Sequence, residues 1–141
     1  MDIEADILLV QADAREARRT IDLLWSFEAG ARTYWCRDGI EALEFVFGTG
    51  RHWNRPEGYP RLVLLDAEPL LLDGLEVLRR IRSSRAADGL IVVVLASAEQ
   101  PGDRRRTPGI DGWIVKPLGA AAIERALLDA GLETAPSEVA K

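Results

Sequence analysis

The chain has 141 residues, of which 48% are hydrophobic and 29% are charged, and its formal net charge at pH 7 is -5. A chain of this size and composition forms one globular domain, which excludes collagen-like, mucin-like and broadly disordered proteins. The acidic balance disfavours binding to nucleic-acid phosphates, and no apolar run approaches the roughly 20 residues that span a bilayer. We therefore expect neither a nucleic-acid partner nor a membrane partner.

The N-terminal residues, the single cysteine and the single histidine exclude further classes of protein and of site. Residues 1–6 carry acids where a signal or transit peptide would carry bases, so we expect a cytoplasmic protein. One cysteine, Cys36, and one histidine, His52, exclude an internal disulfide and a metal site built from Cys or His clusters. We expect Cys36 to be a small buried apolar residue and His52 to lie on a surface loop.

Short apolar runs predict five β-strands. Three of the runs lack polar alternation, which is typical of strands covered on both faces of a parallel sheet. Because helical patterns fill the gaps between the runs, we predict an open, doubly wound α/β sheet with right-handed crossovers. The predicted strands are Ile7–Val10, Thr33–Cys36, Leu62–Leu65, Ile91–Leu95 and Trp113–Val115.

Four helices are predicted from apolar residues that recur at helical spacing. Three of them begin with an Asp followed three residues later by a Glu, which resembles a capping box, at Asp13, Asp38 and Asp73. Gly30 and Gly131 stand where helices are expected to stop. The residues predicted to face the core are, in chain order, Ala17, Ile21 and Leu24, then Ile40, Leu43 and Phe47, then Leu75, Leu78 and Ile81, and finally Ile123, Leu127 and Ala130.

Three segments depart from the alternation of strands and helices. Residues 48–61 form a long loop rich in Gly, Pro and aromatic side chains. Residues 100–111 should contain the fourth crossover helix but hold two Pro-Gly pairs, so we expect that helix to be short or disrupted. Residues 133–141 are small, polar and charged. We therefore predict one domain over residues 1–132 and a flexible C-terminal tail over residues 133–141.

The residues that directly follow the strands are the candidates for function, since ligands of open α/β sheets bind beyond the carboxyl ends of the strands. Asp66 follows the third strand and Lys116 the fifth, so a carboxylate and an ammonium are expected to pair at one edge of the sheet. Lys116 also stands out by type. Only Lys116 and the terminal Lys141 are lysines among the 18 basic residues, all others being arginines.

Four segments together resemble the receiver domain of bacterial response regulators, over residues 6–132. They are Ile7–Asp13, the Leu-Val-Leu-Leu-Asp segment that ends at Asp66, the turn Leu72–Gly74, and the Ile-Val-Lys-Pro segment that ends at Pro117. The resemblance implies a flavodoxin-like, five-stranded parallel sheet of order 2-1-3-4-5. It also implies a non-enzymatic role in two-component phosphorelay signalling, with a sensor histidine kinase as partner. The long loop 48–61 is similar to that of single-domain regulators that serve phytochromes, so a bacteriophytochrome is a candidate partner.

The resemblance implies roles for individual residues. Asp66 matches the aspartate that accepts a phosphoryl group in a reaction that needs Mg²⁺, and Lys116 matches the lysine that stabilises the developing charge. Pro117 is implied to follow a cis peptide bond. Trp113 matches the aromatic residue of the fifth strand that switches position on phosphorylation. Because the neighbouring Ala96 is small, we expect the indole to stay turned inward.

Several positions depart from the family's pattern. Gln11 and Ala12 match an acidic pair that binds the metal, and Ala96 matches a Thr or Ser that hydrogen-bonds the phosphoryl group. A carboxylate beside a dication contributes several kcal/mol, so its loss predicts weak Mg²⁺ binding. Two alternatives stay open at each remaining acid. Asp13 either caps the first helix or replaces the lost ligand, and Glu68 either adds an oxygen or pairs with Lys116.

Three functions follow from these features. The first is a stand-alone receiver with an eroded site, which has no resident cofactor and acts as a phospho-independent or weakly phosphorylated docking module. The second is a conventional receiver phosphorylated on Asp66, in which Asp13 or Glu68 replaces the missing acid. The third is a small flavodoxin-like enzyme or cofactor binder, disfavoured because residues 11–15 lack a turn suited to a flavin phosphate. The sequence leaves open whether the chain forms a homodimer. Because the fourth helix is curtailed, we expect a dimer, if one forms, to use another surface.

Overall fold

Five parallel strands form one sheet of order β2-β1-β3-β4-β5 in the computed structural model, which describes residues 5–55, 58–67, 73–97 and 108–137. This arrangement confirms the predicted fold class and strand order. Neighbouring strands end nearly level, because Val10 pairs with both Cys36 and Leu65, and Ala96 pairs with Val115. The strands are β1 (Ile7–Val10), β2 (Thr33–Cys36), β3 (Leu62–Asp66), β4 (Ile91–Ala96) and β5 (Gly112–Val115).

In the described part of the chain, four α-helices cover the two faces of the sheet. They are α1 (Ala14–Leu24), α2 (Gly39–Phe47), α3 (Gly74–Arg82) and α4 (Ala120–Asp129). Helices α1 and α4 pack on one face and α2 and α3 on the other. The crossover helix that the sequence predicts to be short or disrupted falls mainly on residues 98–107, which lie outside the described residues. None of the helices described is long and apolar enough to cross a membrane.

Alternate strand residues supply the two halves of the core. Leu62 and Leu64 pack with α1 and α4, whereas Val63 and Leu65 pack with α2 and α3. All five residues of β3 are buried, as the unbroken apolar run predicts. Cys36 is also buried, as predicted, and burial raises the pKa of its thiol.

The three predicted N-caps are confirmed. The side chain of Asp13 accepts hydrogen bonds from two backbone N–H groups of the first turn of α1, and Asp38 and Asp73 each accept one in α2 and α3. The glutamates of these motifs contact other side chains instead of closing a reciprocal box. Their partners are Lys116 for Glu16, Tyr34 and His52 for Glu41, and Arg79 and Arg80 for Glu76.

The predicted inner face of α2 is wrong. Ile40 is 43% exposed, and the buried residues of the helix are Gly39, Ala42, Phe45 and Val46. This helix carries apolar residues on more than one side, so periodicity does not single out one face. The segment after the helix covers part of the remaining apolar surface, and Tyr59 packs edge-on against the ring of Phe47.

The segment after α2 folds back onto that helix, and the prediction that His52 lies on a surface loop is wrong. The His52 side chain is only 11% exposed, and its Nε2 lies 2.9 Å from Oε2 of Glu41. Its ring packs edge-on against Tyr34 and Phe45. Arg55 contacts the carbonyl oxygens of the last turn of α2, where a cation also complements the helix dipole.

Two further expectations differ from the structure. Helix α1 ends at Leu24, and Gly30 lies instead in a short 3₁₀ turn, Glu28–Arg32, that packs under the end of the helix. The tail expected to be flexible from residue 133 is attached over part of its length. The N–H of Glu28 donates to the carbonyl of Ala135, and the N–H of Ser137 donates to that of Ser26. These hydrogen bonds form an isolated antiparallel bridge that the polar composition does not reveal.

Candidate functional site

An ion pair at the carboxyl edge of the sheet forms the centre of the candidate site. Asp66 is the last residue of β3, and Lys116 directly follows β5. Since the strands are parallel and end nearly level, both side chains reach the same edge. Nζ of Lys116 lies 2.7 Å from Oδ2 of Asp66, and the Asp66 residue is only 7% exposed. The predicted pairing of these two groups is therefore formed.

Gln11 lies at the same edge, directly after β1, and is buried. Its Nε2 donates to Oδ2 of Asp66 over 3.4 Å, a long contact. On the other side of the amide, the hydroxyl of Thr20 lies 2.8 Å from Oε1 of Gln11. Because the carboxylate of Asp66 can only accept, the NH₂ group of Gln11 is the one that faces it, and the carbonyl oxygen of the amide faces the hydroxyl of Thr20. A neutral donor thus stands where the resemblance implies a metal-binding carboxylate.

Lys116 contacts a second carboxylate that the sequence did not assign to the site. Oε1 of Glu16, in the first turn of α1, lies 2.9 Å from Nζ of Lys116. Burial lowers the pKa of Lys116, but its hydrogen bonds to Asp66 and Glu16 raise it more, so the pKa lies above its ordinary value of 10.5. The lysine is therefore a fixed positive charge at neutral pH, shared between two acids.

Asp13 takes the capping role of its two alternatives. Its Oδ1 accepts from the N–H groups of Arg15 at 2.8 Å and Glu16 at 3.1 Å, and the side chain is exposed. These hydrogen bonds stabilise the carboxylate and lower its pKa. Ala12, its neighbour, offers no polar side chain to the site. Glu68, the other candidate acid, lies outside the described residues.

Ala96 and Trp113 lie at the β4 and β5 side of the site. Ala96 is buried at the end of β4 and presents only a methyl group. The indole of Trp113 is half-buried, packs with the core on the α2 and α3 face, and lines a small cavity together with Leu65 and Leu78. Its Nε1 atom is buried and has no hydrogen-bond partner among the described residues. The indole is thus turned inward in this structure, and that it stays inward on phosphorylation stays a prediction.

The remaining features concern the segment that follows β5. The peptide bond between Lys116 and Pro117 is cis, as the resemblance implies. A cavity of about 300 Å³ opens between α1 and residues 116–118, beside the lysine. In the part of the chain that the structure describes, no group of three or more His, Cys, Asp or Glu is placed to hold a metal ion.

The chemistry available at this edge follows from these contacts. Asp66 offers a carboxylate oxygen as a nucleophile, and Lys116 offers a positive charge that would stabilise a transferred anionic group. Both groups are already engaged with each other. Among the described residues next to this pair, Gln11 and Ala96 supply neither a carboxylate nor a hydroxyl, and Lys116 is the cation in contact with Asp66.

The chain is similar to known regulatory proteins both in sequence and in structure. Over 121 residues, the chain is 31% identical to the probable methanogenesis regulatory protein FilR2 of Methanothrix harundinacea, covering 84% of this chain and 76% of FilR2. It is 31% identical over 97 residues to the response regulator Rcp1 of Synechocystis, covering 69% of this chain and 65% of Rcp1. The structure of the bacteriophytochrome response regulator AtBRR matches with a TM-score of 0.82 and 33% identity, over 96% of this chain and 98% of AtBRR.

Some relatives are much longer than this chain. The chain spans only 44% of the length of the mycobacterial response regulator MprA, to which it is 33% identical over 113 residues. One of the similar solved structures is the Mn²⁺-bound form of Rcp1, with a TM-score of 0.70. No protein-family model matches the chain.

Proposed function

This chain belongs to the receiver family of response regulators in two-component signalling, and we propose that it works there as a docking module with an eroded phosphorylation site. Asp66 occupies the acceptor position and Lys116 the phosphoryl-stabilising position. Trp113 takes the place of the switch aromatic but stays inward. Phosphorylation of Asp66 is weak or dispensable, and the folded surface itself carries the signal to a partner.

The ion pair of Lys116 with Asp66 is the observation that carries this proposal. Gln11 turns its amide toward the same carboxylate oxygen that accepts from the lysine. Asp66 therefore has its charge compensated without any added cation. A transferred phosphoryl group would have to displace these contacts, and it would gain no hydroxyl from Ala96 in return.

The residues of the site do not fit the magnesium centre that the family implies. Gln11 is neutral, Ala12 has no donor atom, and the carboxylate of Asp13 accepts two backbone N–H groups at the exposed start of α1. Mg²⁺ prefers several oxygen ligands in octahedral geometry, usually with one or two carboxylates. Asp66 alone, already paired with an ammonium, is a poor basis for that coordination, so we propose that Mg²⁺ binds weakly.

The partner we propose is a sensor histidine kinase or a related signalling protein. AtBRR, which matches nearly the whole chain, is described as a bacteriophytochrome response regulator, so a bacteriophytochrome is a specific candidate. The exposed residues Arg15, Arg18 and Arg19 line the polar side of α1 and offer a positive surface to an acidic partner. Pull-down with a cognate kinase should succeed equally with wild type and Asp66→Asn if docking is independent of phosphorylation.

The proposed erosion of the site is tested by phosphoryl transfer from acetyl phosphate. Wild type, Asp66→Asn and the double variant Gln11→Asp/Ala12→Asp are incubated with acetyl phosphate and Mg²⁺, and the intact mass is followed over time. We expect little adduct on wild type, none on Asp66→Asn, and more on the double variant, whose acidic pair is restored. A wild-type adduct that forms as fully as that of the double variant and is lost in Asp66→Asn would identify a conventional receiver instead.

A further inference from the structure

Glu16 reaches the site from helix α1, where the sequence gives it only a capping role. It is the third residue of its helix, and its Oε1 lies 2.9 Å from Nζ of Lys116. Glu76 holds the same position in α3 but pairs with two arginines of its own helix, Arg79 and Arg80. The contact of Glu16 with Lys116 is therefore a property of this site and not a consequence of helix capping.

Glu16 adds a second carboxylate to the ion pair of Asp66 and Lys116. Lys116 carries one positive charge, whereas Asp66 and Glu16 each carry one negative charge at neutral pH. Because both carboxylates contact the same nitrogen atom, they lie close to each other. Arg19 lines the neighbouring cavity together with Glu16 and Lys116. An approaching phosphoryl donor, itself an anion, is repelled by the carboxylate that Glu16 adds beside the acceptor.

Glu16 also determines where the ammonium is held. The side chain of Glu16 is 38% exposed and that of Asp66 is 9% exposed, so Glu16 contacts the ammonium of Lys116 on the more open side of the pair. A phosphoryl group on Asp66 needs the same ammonium as its main stabilising charge. Each hydrogen bond that Lys116 donates to Glu16 is unavailable to that group.

We propose that Glu16 is a positioning residue that restrains phosphoryl transfer to Asp66 by holding the ammonium of Lys116. This inference rests on the proposed function, since it takes Asp66 as the acceptor. In the transfer, an Asp66 carboxylate oxygen attacks the phosphorus of acetyl phosphate. The bond from phosphorus to the acetyl oxygen breaks, and acetate leaves with the bonding electron pair. No proton is gained or lost.

The test compares Glu16→Gln with wild type and with the matched control Glu76→Gln. Initial rates of adduct formation with acetyl phosphate are measured by intact mass at one Mg²⁺ concentration, and Asp66→Asn in the Glu16→Gln background confirms the site. We expect the Glu16→Gln rate to exceed both others about tenfold at low ionic strength, because one nearby negative charge is removed. The ratio should shrink in high salt, which screens such partly exposed charges.

The outcomes separate this inference from the proposed function. A Glu16→Gln rate equal to or below that of Glu76→Gln, including the case in which neither forms an adduct, overturns the role of Glu16 but leaves the proposed function intact. A rate advantage that does not change with salt also overturns it, because it points to a structural effect. A wild type that forms adduct as readily as Gln11→Asp/Ala12→Asp defeats the proposed function, whatever the ratio for Glu16.

Discussion

At the carboxyl edge of the sheet, Gln11 places a neutral amide beside Asp66, where a carboxylate would add a second negative charge. A carboxylate at this position would repel Asp66, and the two acids together would need a cation between them. The amide instead donates toward Asp66 and is held in that orientation by the hydroxyl of Thr20. Lys116 then serves as a counter-charge of Asp66, which it shares with Glu16.

Tyr34 provides a pH-dependent test of the interactions between β2 and α2. Burial, together with the hydrogen bond that its hydroxyl donates to Glu41 at 3.1 Å, raises the pKa of Tyr34 from 10.0 to about 12. A raised pKa favours the protonated folded state, so this contribution to stability is complete below pH 10 and is lost as the pH rises to about 12.

The variant Tyr34→Phe should therefore be less stable than wild type near neutral pH, by about 1 kcal/mol for the lost hydrogen bond. Between pH 10 and about 12, its free energy of unfolding should fall less steeply than that of wild type. Urea unfolding at a series of pH values measures both effects. Parallel pH dependence of the two proteins would show that Tyr34 titrates normally in the folded state.

The sequence located the principal polar residues of the site but not all of their partners. Asp66, Lys116 and Gln11 follow strands, and parallel topology alone brings strand ends together. Glu16 and Thr20 could not be assigned, because they reach the site from the side of a helix. Their spacing reveals the helix but not which tertiary neighbour each side chain meets.

Strands and helices differ in how well the apolar pattern defines them. The five strands were predicted within one residue of their observed ends, since each is a short apolar run between polar turns. The inner face of α2 was not predicted correctly, because the helix is apolar on several sides and the following segment covers one of them. His52 lies in that segment, and its burial depends on Tyr34 and Phe45, which no local pattern connects to it.

The turn after α1 contains Gly30, and a substitution there tests how this turn packs against the end of the helix. A Cβ atom added to Gly30 would lie 1.7 Å from the carbonyl oxygen of Leu24. That oxygen belongs to the backbone and cannot move aside as the end of a flexible side chain can. Gly30→Ala should therefore displace the turn and lower the free energy of unfolding by about 3 kcal/mol.

Gly89→Ala is the matched control, because an added Cβ there meets nothing within 4 Å. Its stability should stay within about 0.5 kcal/mol of wild type. Chemical unfolding of both variants measures the difference. If Gly30→Ala is as stable as Gly89→Ala, the turn does not pack against Leu24 as described.

The whole fold assembles the site from residues far apart in the chain. Gln11 and Lys116 directly follow β1 and β5, and Asp66 is the last residue of β3. The strand order places β3 beside β1, with β4 between β3 and β5. The fold is that of the receiver family, whereas the side chains of Gln11, Ala12 and Ala96 offer none of the acidic or hydroxyl groups that the proposed function takes to support phosphorylation. Docking requires only the surface of this fold, which is why an eroded site is compatible with a signalling role.

Calorimetric titration with Mg²⁺ is the most direct test of this account. Wild type and Gln11→Asp/Ala12→Asp are titrated under identical conditions, after both are shown to be folded. We predict that the double variant binds Mg²⁺ at least about tenfold more tightly than wild type, because it regains the carboxylates that a dication prefers. Equal and saturable Mg²⁺ binding by the two proteins would contradict the account.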